Sequence, residues 1–415
     1  MAENLDSQQE GDRKGLLSRY HLLTLYLPAV ILALGHGIAT PAIPVFAKSF
    51  GTGFGIASLV IVVYSLGSLI STIPTGFLLD KVGRRPILLS GPILTAVSSL
   101  LIATAHSFPA LLIYRFIGGW AQQMWRQSRL AIIADTGRKR ERGRQMTGLV
   151  AMESAGRLLG PALGGLLGGR NIRIPFIVHG ILSLAAVLPS IRLVRETAPT
   201  RTQSSSEGEE SIPGTKAFLI SLLNIQYLSF FSAQFFATMA RGALWGGTLL
   251  LYAAYAYDVG PETLGLLSAG TGLVGIPITL SAGYLMDRFG RKTTIVPGFA
   301  LTATGLVFMA LSAHWHWSLS IFIVIFIWVY AAQSITSGNM QVLGADIAPE
   351  SARGRFFGVW RMIGGFGHLL SPAIFALLAE QVAYTASFSF LSLCGFAAAA
   401  IVGLQVSETV RRRNL

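Results

Sequence analysis

Cysteine occurs once in 415 residues, at Cys394, which excludes an intrachain disulfide and any multi-cysteine metal site. It lies in an apolar run and reads as a small buried hydrophobe. Charge is also scarce: Asp, Glu, Lys and Arg make up 12% of the chain, against about 25% in an ordinary soluble domain. Acid is scarcer than base, 19 residues to 32, for a net charge of +13. Among the acidic residues only Glu153 falls well inside a long apolar stretch. There is no phosphate-binding loop of the Gly-Lys-Ser type, no zinc-ligand spacing and no nucleophile beside a base. Enzyme chemistry, ATP as an energy source, a cofactor and a bound metal are therefore not expected.

The chain is instead rich in apolar residues (52%) and glycine (46 residues), with a mean hydropathy of +0.59. Glycine is common where membrane helices pack through small residues. A bilayer crossing needs about 20 apolar residues. Twelve such stretches can be counted, at roughly 22–46, 55–79, 86–105, 109–134, 146–169, 174–192, 224–252, 264–286, 294–313, 318–345, 357–379 and 385–406. The expected fold is an all-α membrane protein of twelve helices in two pseudo-symmetric six-helix bundles. The expected divisions are a cytoplasmic N-tail (1–20), a first bundle (21–193), a linker (194–216), a second bundle (217–406) and a cytoplasmic C-tail (407–415). The polar start does not read as a signal peptide. With both termini inside, 25 of the 32 basic residues fall in inner segments and three (Lys48, Arg170, Arg173) fall outside. That bias predicts cytoplasmic termini and argues against nucleic acid as the partner of the basic charge.

The chain is doubled. Gly76-Phe77-Leu78-Leu79-Asp80-Lys81-Val82-Gly83-Arg84-Arg85-Pro86 returns as Gly283-Tyr284-Leu285-Met286-Asp287-Arg288-Phe289-Gly290-Arg291-Lys292, with Gly, Asp, Gly and Arg each repeated at an offset of 207. Asp135 and Asp346, and Gly143-Arg144 and Gly354-Arg355, repeat at 211. Self-similarity over half a chain points to an internal duplication. Gly83 and Gly290 permit a tight reversal, and the basic residues hold the loop inside. Asp80 has no place in a purely topological role, because a positive-inside bias needs no carboxylate at a fixed position. A gating latch is the favoured reading, with topology alone as the alternative. Its candidates are Gly76, Asp80, Gly83, Arg84 and Asp135, mirrored by Asp287, Gly290, Arg291 and Asp346, with Arg361 near the end of the eleventh span.

These blocks resemble the signature loops of the major facilitator superfamily over essentially the whole chain. Leu111-Leu112-Ile113-Tyr114-Arg115 through Gly119 is similar to the family's fourth-helix motif. Gly156-Arg157-Leu158-Leu159-Gly160-Pro161-Ala162-Leu163-Gly164-Gly165 resembles the fifth-helix motif of its antiporter branches. Leu34-Gly35 with Pro41 and Pro44 is similar to the first helix of the twelve-span drug:proton antiporters. The resemblance implies a secondary active transporter working by alternating access, and places Arg115 near the cavity and its coupling chemistry. Independently of it, Gly156, Gly160 and Gly164 recur every fourth residue, a smooth stripe for close approach of a neighbouring helix, with Pro161 loosening the backbone.

Charges inside spans are costly and face water or a partner. Arg115, Glu153, Arg157 and Arg241 are the candidates for substrate binding or coupling, with His36, Gln234, Trp245 and Asn339 beside them. Glu153 and Arg157 stand four residues apart with Glu first, a spacing that pairs them on a helix. Glu153 is the main candidate to carry a proton, with the histidines behind it. The expected function is proton-coupled efflux of a lipophilic small molecule or drug. A carrier of organic anions or acidic metabolites is the alternative, favoured by the arginines, and a sensor or lipid-moving protein on the same fold is a third. The expected partners are a small amphipathic or anionic substrate, protons and the bilayer of a plasma or bacterial inner membrane. A monomer is expected.

Overall fold

The computed structural model describes residues 25–136, 142–194, 222, 224–245, 247–349 and 352–409. Both tails and the central linker lie outside them, as do the side chains of Trp245 and Asp287. The described residues form helices joined by short turns. In chain order these are α1 (Leu27–Ala39), α2 (Ala42–Lys48), α3 (Phe54–Val82), α4 (Arg84–Ala103), α5 (Phe108–Thr136), α6 (Arg142–Arg170) and α7 (Ile174–Leu193). Then follow α8 (Ile225–Trp245), α9 (Thr248–Ala256), α10 (Pro261–Phe289), α11 (Lys292–Trp315), α12 (Leu319–Ile335), α13 (Asn339–Ile347), α14 (Arg353–Gln381) and α15 (Tyr384–Leu404). Helix is what hydrocarbon demands of an apolar chain, since it satisfies every backbone group within the segment.

Three of the twelve crossings are broken in two. The first pauses at Thr40–Pro41 between α1 and α2, the seventh at Gly247 between α8 and α9, and the tenth at Gly338 between α12 and α13. Gly247 (φ +85°) and Gly338 (φ +80°) adopt the left-handed backbone that glycine tolerates. The break at Gly247 explains how the long apolar run 217–257 is accommodated: it is divided, and α9 is buried from Thr248 to Ala254. Among the described residues, nine of the twelve crossings are long and apolar enough to span a bilayer by length and composition alone. The other three involve α5, α6 and α8, which carry Arg115, Glu153 with Arg157, and Arg241.

The described residues gather into two compact units, those within 1–46, 66–205 and 260–269, and those within 47–65, 206–259 and 270–415. In the first, α1 packs on α6 and α7, and α4 packs on α5 and α7. In the second, α8 packs on α14 and α15, and α11 packs on α12 and α15. The pairings are the same once each crossing is advanced by six, so the duplication read from the loops extends to the packing. Segment 47–65 is tied into the second unit by polar contacts. Lys48 Nζ bonds Asp258 Oδ1 (2.5 Å) and Ala254 O (2.7 Å), and Glu380 accepts the Gly55 N–H at 2.9 Å.

Candidate functional site

The repeated charged loops fold into repeated ion pairs. In the first unit Gly83 turns the chain at φ +103°, and Arg84 opens α4. The Arg84 guanidinium donates to Asp135 Oδ2 (3.0 Å) and to Leu79 O (2.8 Å), and lies 3.5 Å from Asp80 Oδ1. In the second unit Gly290 turns at φ +106°, and Arg291 Nε donates to Asp346 Oδ2 at 3.0 Å. Glu408 accepts the N–H groups of Arg291 (2.9 Å) and Lys292 (3.0 Å), placing a carboxylate on the N-terminus of α11. The loop glycines divide into two kinds. Gly83 and Gly290 hold backbone angles that a side chain would strain, whereas a Cβ on Gly76 or Gly283 would meet nothing within 4 Å.

The glycine stripe of α6 receives α1. A Cβ on Gly156 would lie 2.7 Å from Val30 O, and one on Gly160 would lie 2.7 Å from Leu34 O. One on Gly164 would collide with the carbonyl of Ile38. Gly37 on α1 faces Gly160 and Pro161 in return.

That close approach accompanies a gathering of polar residues from five helices inside the first unit. The Glu153 carboxylate is shared by two guanidiniums, with Arg129 of α5 on one oxygen and Arg157 of α6 on the other, the latter at 3.0 Å. Arg129 is buried and also lies over the ring of Trp125 at 5.6 Å. Its Nε–H has no partner among the described residues. Arg157 is 47% exposed and makes its ion pair through one nitrogen. Arg115, also on α5, is buried, and His36 lies on α1. The His36 ring stands edge-on to His179 of α7, with centroids 6.2 Å apart, and Ser99 Oγ is 2.6 Å from His179 Nδ1. The Glu153 site thus sets two guanidiniums against one carboxylate.

Arg129 was not singled out in the sequence. It lies near the end of an apolar stretch, before a dense run of arginines, and reads there as loop charge. Helix α5 continues to Thr136 and carries it into the interior. The available signal is its spacing from Arg115, since fourteen residues is close to four helical turns, which puts both on one face.

In the second unit Arg241 makes no ion pair or hydrogen bond with the described residues. It sits in the turn of α8 that Ser371 engages. Ser371 of α14 donates to Met239 O (2.6 Å) and accepts from the Ala243 N–H (2.9 Å). Gln234 is buried beside Gly364 of α14. Asn339 is buried with its amide donating to Thr294 Oγ1 (3.2 Å) and Ile335 O (2.7 Å), so its donors already bind α12 and α13 to α11. Arg361 is exposed.

The sequence model described as the Major Facilitator Superfamily matches residues 25–233 and 230–414. The chain belongs to the major facilitator superfamily. The members it resembles are membrane transporters rather than enzymes. It is 26% identical over 271 residues to the quinolone resistance protein NorA of Staphylococcus aureus, covering 65% of this chain and 66% of that one, just under two thirds of the relative's length. It is 25% identical over 369 residues to the class H tetracycline resistance protein of Pasteurella multocida, covering 88% of this chain and 90% of the relative. Among solved structures, a D-xylose-proton symporter superposes with a TM-score of 0.75 at 16% identity, over 94% of this chain and 99% of that one. The human organic anion transporter MFSD10 does so at 0.65 and 19%, over 92% and 99%. At those identities the likeness shows the shared twelve-helix, two-bundle fold. It is this superfamily fold that places the Arg84 and Arg291 loops at matching reversals of the two halves.

Proposed function

We propose that this transporter carries out proton-coupled efflux of lipophilic small molecules, exposing one membrane-embedded site alternately to the two sides. The observation that carries the reading is the ion cluster Arg129–Glu153–Arg157 between two helices of the first unit, because ionisable groups inside spans mark the paths of substrates and ions. The sequence likeness to proteins named for quinolone and tetracycline resistance supports export as the direction. Glu153 is the group that takes the proton. The Arg84–Asp135 and Arg291–Asp346 pairs serve as the two halves of a latch at the loops that the positive-inside rule places in the cytoplasm. Both termini face the cytoplasm, and a monomer suffices.

Efflux of tetraphenylphosphonium and of a neutral lipophilic dye from proteoliposomes, with and without an imposed pH gradient, tests the reading. Extrusion accelerated by the gradient is expected. Flux of both probes equal to that of protein-free vesicles rejects it.

A further inference from the structure

We propose that the Arg129–Glu153–Arg157 triad is a receptor for a single anionic group, so that the preferred cargo is a lipophilic molecule bearing one carboxylate. The proposal names the substrate class at the site described above and rests on the reading of the chain as a small-molecule transporter.

Three observations carry it. The first is charge balance: two guanidiniums share one carboxylate, which leaves one positive charge uncompensated within the span. One monoanion restores neutrality, whereas a dianion overshoots. The second is donor balance. Arg157 uses one nitrogen on Glu153, and among the described residues its other donors have no partner. The planar fork of a guanidinium suits a carboxylate in two-point contact. The third is access. Arg129 is enclosed, 8% exposed, and fixes Glu153 in place, while Arg157 is 47% exposed on the same carboxylate. An arginine facing hydrocarbon at mid-span would be costly, so the open side of Arg157 faces water. Arg129 therefore holds Glu153, Glu153 orients Arg157, and Arg157 receives the anion.

The test is equilibrium binding to the purified full chain near neutral pH, with no gradient, using labelled 1-naphthoate, its methyl ester and tetraphenylphosphonium. Naphthoate is expected to bind at least about tenfold more tightly than the ester. Arg157→Gln should abolish that preference by weakening the acid alone, and Arg157→Lys should restore part of it. Glu153→Gln should tighten naphthoate, because it removes the negative charge that competes for Arg157; a merely structural triad would give no tightening. Equal affinity for acid and ester, no measurable binding of the acid, or an Arg157→Gln protein that keeps the preference overturns the proposal. The efflux reading fails separately: gradient-driven extrusion of the neutral dye with no acid preference leaves efflux standing and removes the anion site. Acid preference with no gradient-driven flux of any probe does the reverse.

Discussion

The hydroxyl of Ser371 donates to the carbonyl of Met239 at 2.6 Å and accepts from the N–H of Ala243 at 2.9 Å. Those are the two groups an α-helix pairs with each other, so a side chain of α14 bonds both ends of one rung of the α8 ladder. It does so in the turn that carries Arg241, a few residues before the break at Gly247.

This contact depends on Gly242, where a Cβ would lie 2.6 Å from the Cβ of Ser371. Gly242→Ala should drive α8 and α14 apart and destabilise the protein by roughly 1–3 kcal/mol, the range for overpacking. Ser371→Ala should cost about 1 kcal/mol or less, because the freed N–H and C=O can close on each other. Thermal unfolding in detergent reads both. A Gly242→Ala protein as stable as the parent would show that the approach of α8 to α14 is loose.

The helices and charged reversals were legible in the sequence because both are local: twenty apolar residues demand a crossing, and Gly83 or Gly290 followed by arginine demands a turn. The pairing of Glu153 with Arg157 is local too, four residues apart on one helix. What the sequence did not disclose is tertiary. Arg129 joins Glu153 across two helices and looks like loop charge until α5 is seen to run to Thr136. Asn339 looks like a cavity amide until Thr294 is found beside it. The breaks at Thr40–Pro41, Gly247 and Gly338 carry turn residues, yet hydropathy alone reads straight through them.

The glycines of α6 and those of the charged loops should respond differently to alanine. Gly164→Ala would set a methyl group into the backbone of Ile38, with no flexible side chain to give way, so a loss of about 1–3 kcal/mol or more is expected. Gly76→Ala has open space around it and should leave unfolding unchanged. Gly83→Ala has space but the wrong backbone, at φ +103°, and should cost about 1–3 kcal/mol through strain. If Gly76→Ala proved as damaging as Gly164→Ala, the close packing of α6 on α1 would not be what sets the difference.

The two arginine–aspartate pairs should act on transport more than on folding. Arg84 and Arg291 are each 14% exposed, and each makes its charged contacts at a reversal of the chain. Arg84→Gln, Arg291→Gln and Asp80→Asn should leave membrane insertion intact and slow transport about 5- to 150-fold, the span of an ordinary 1–3 kcal/mol conformational coupling. Combining Arg84→Gln with Asp135→Asn should cost less than the two single effects added together, since both remove one interaction. Transport at the parental rate in Asp80→Asn and Arg84→Gln would reduce these charges to a topological role.

Glu153 is the one acidic side chain among the described mid-span residues of the first unit, and two guanidiniums depend on it. If it carries the coupling proton, Glu153→Gln freezes the site in its uncharged form. The variant should still let substrate equilibrate across proteoliposomes, while an imposed pH gradient should no longer accelerate extrusion. The neutral amide keeps the shape and can still hydrogen-bond Arg129, so a comparison with Glu153→Ala separates the two roles. The alanine variant should also unfold more readily, by about 3–5 kcal/mol, because it leaves a buried arginine without a counter-charge. Parental acceleration by the gradient in Glu153→Gln would move the coupling proton to another residue, and the pair His36–His179, 6.2 Å apart in the same cluster, would be the next to replace.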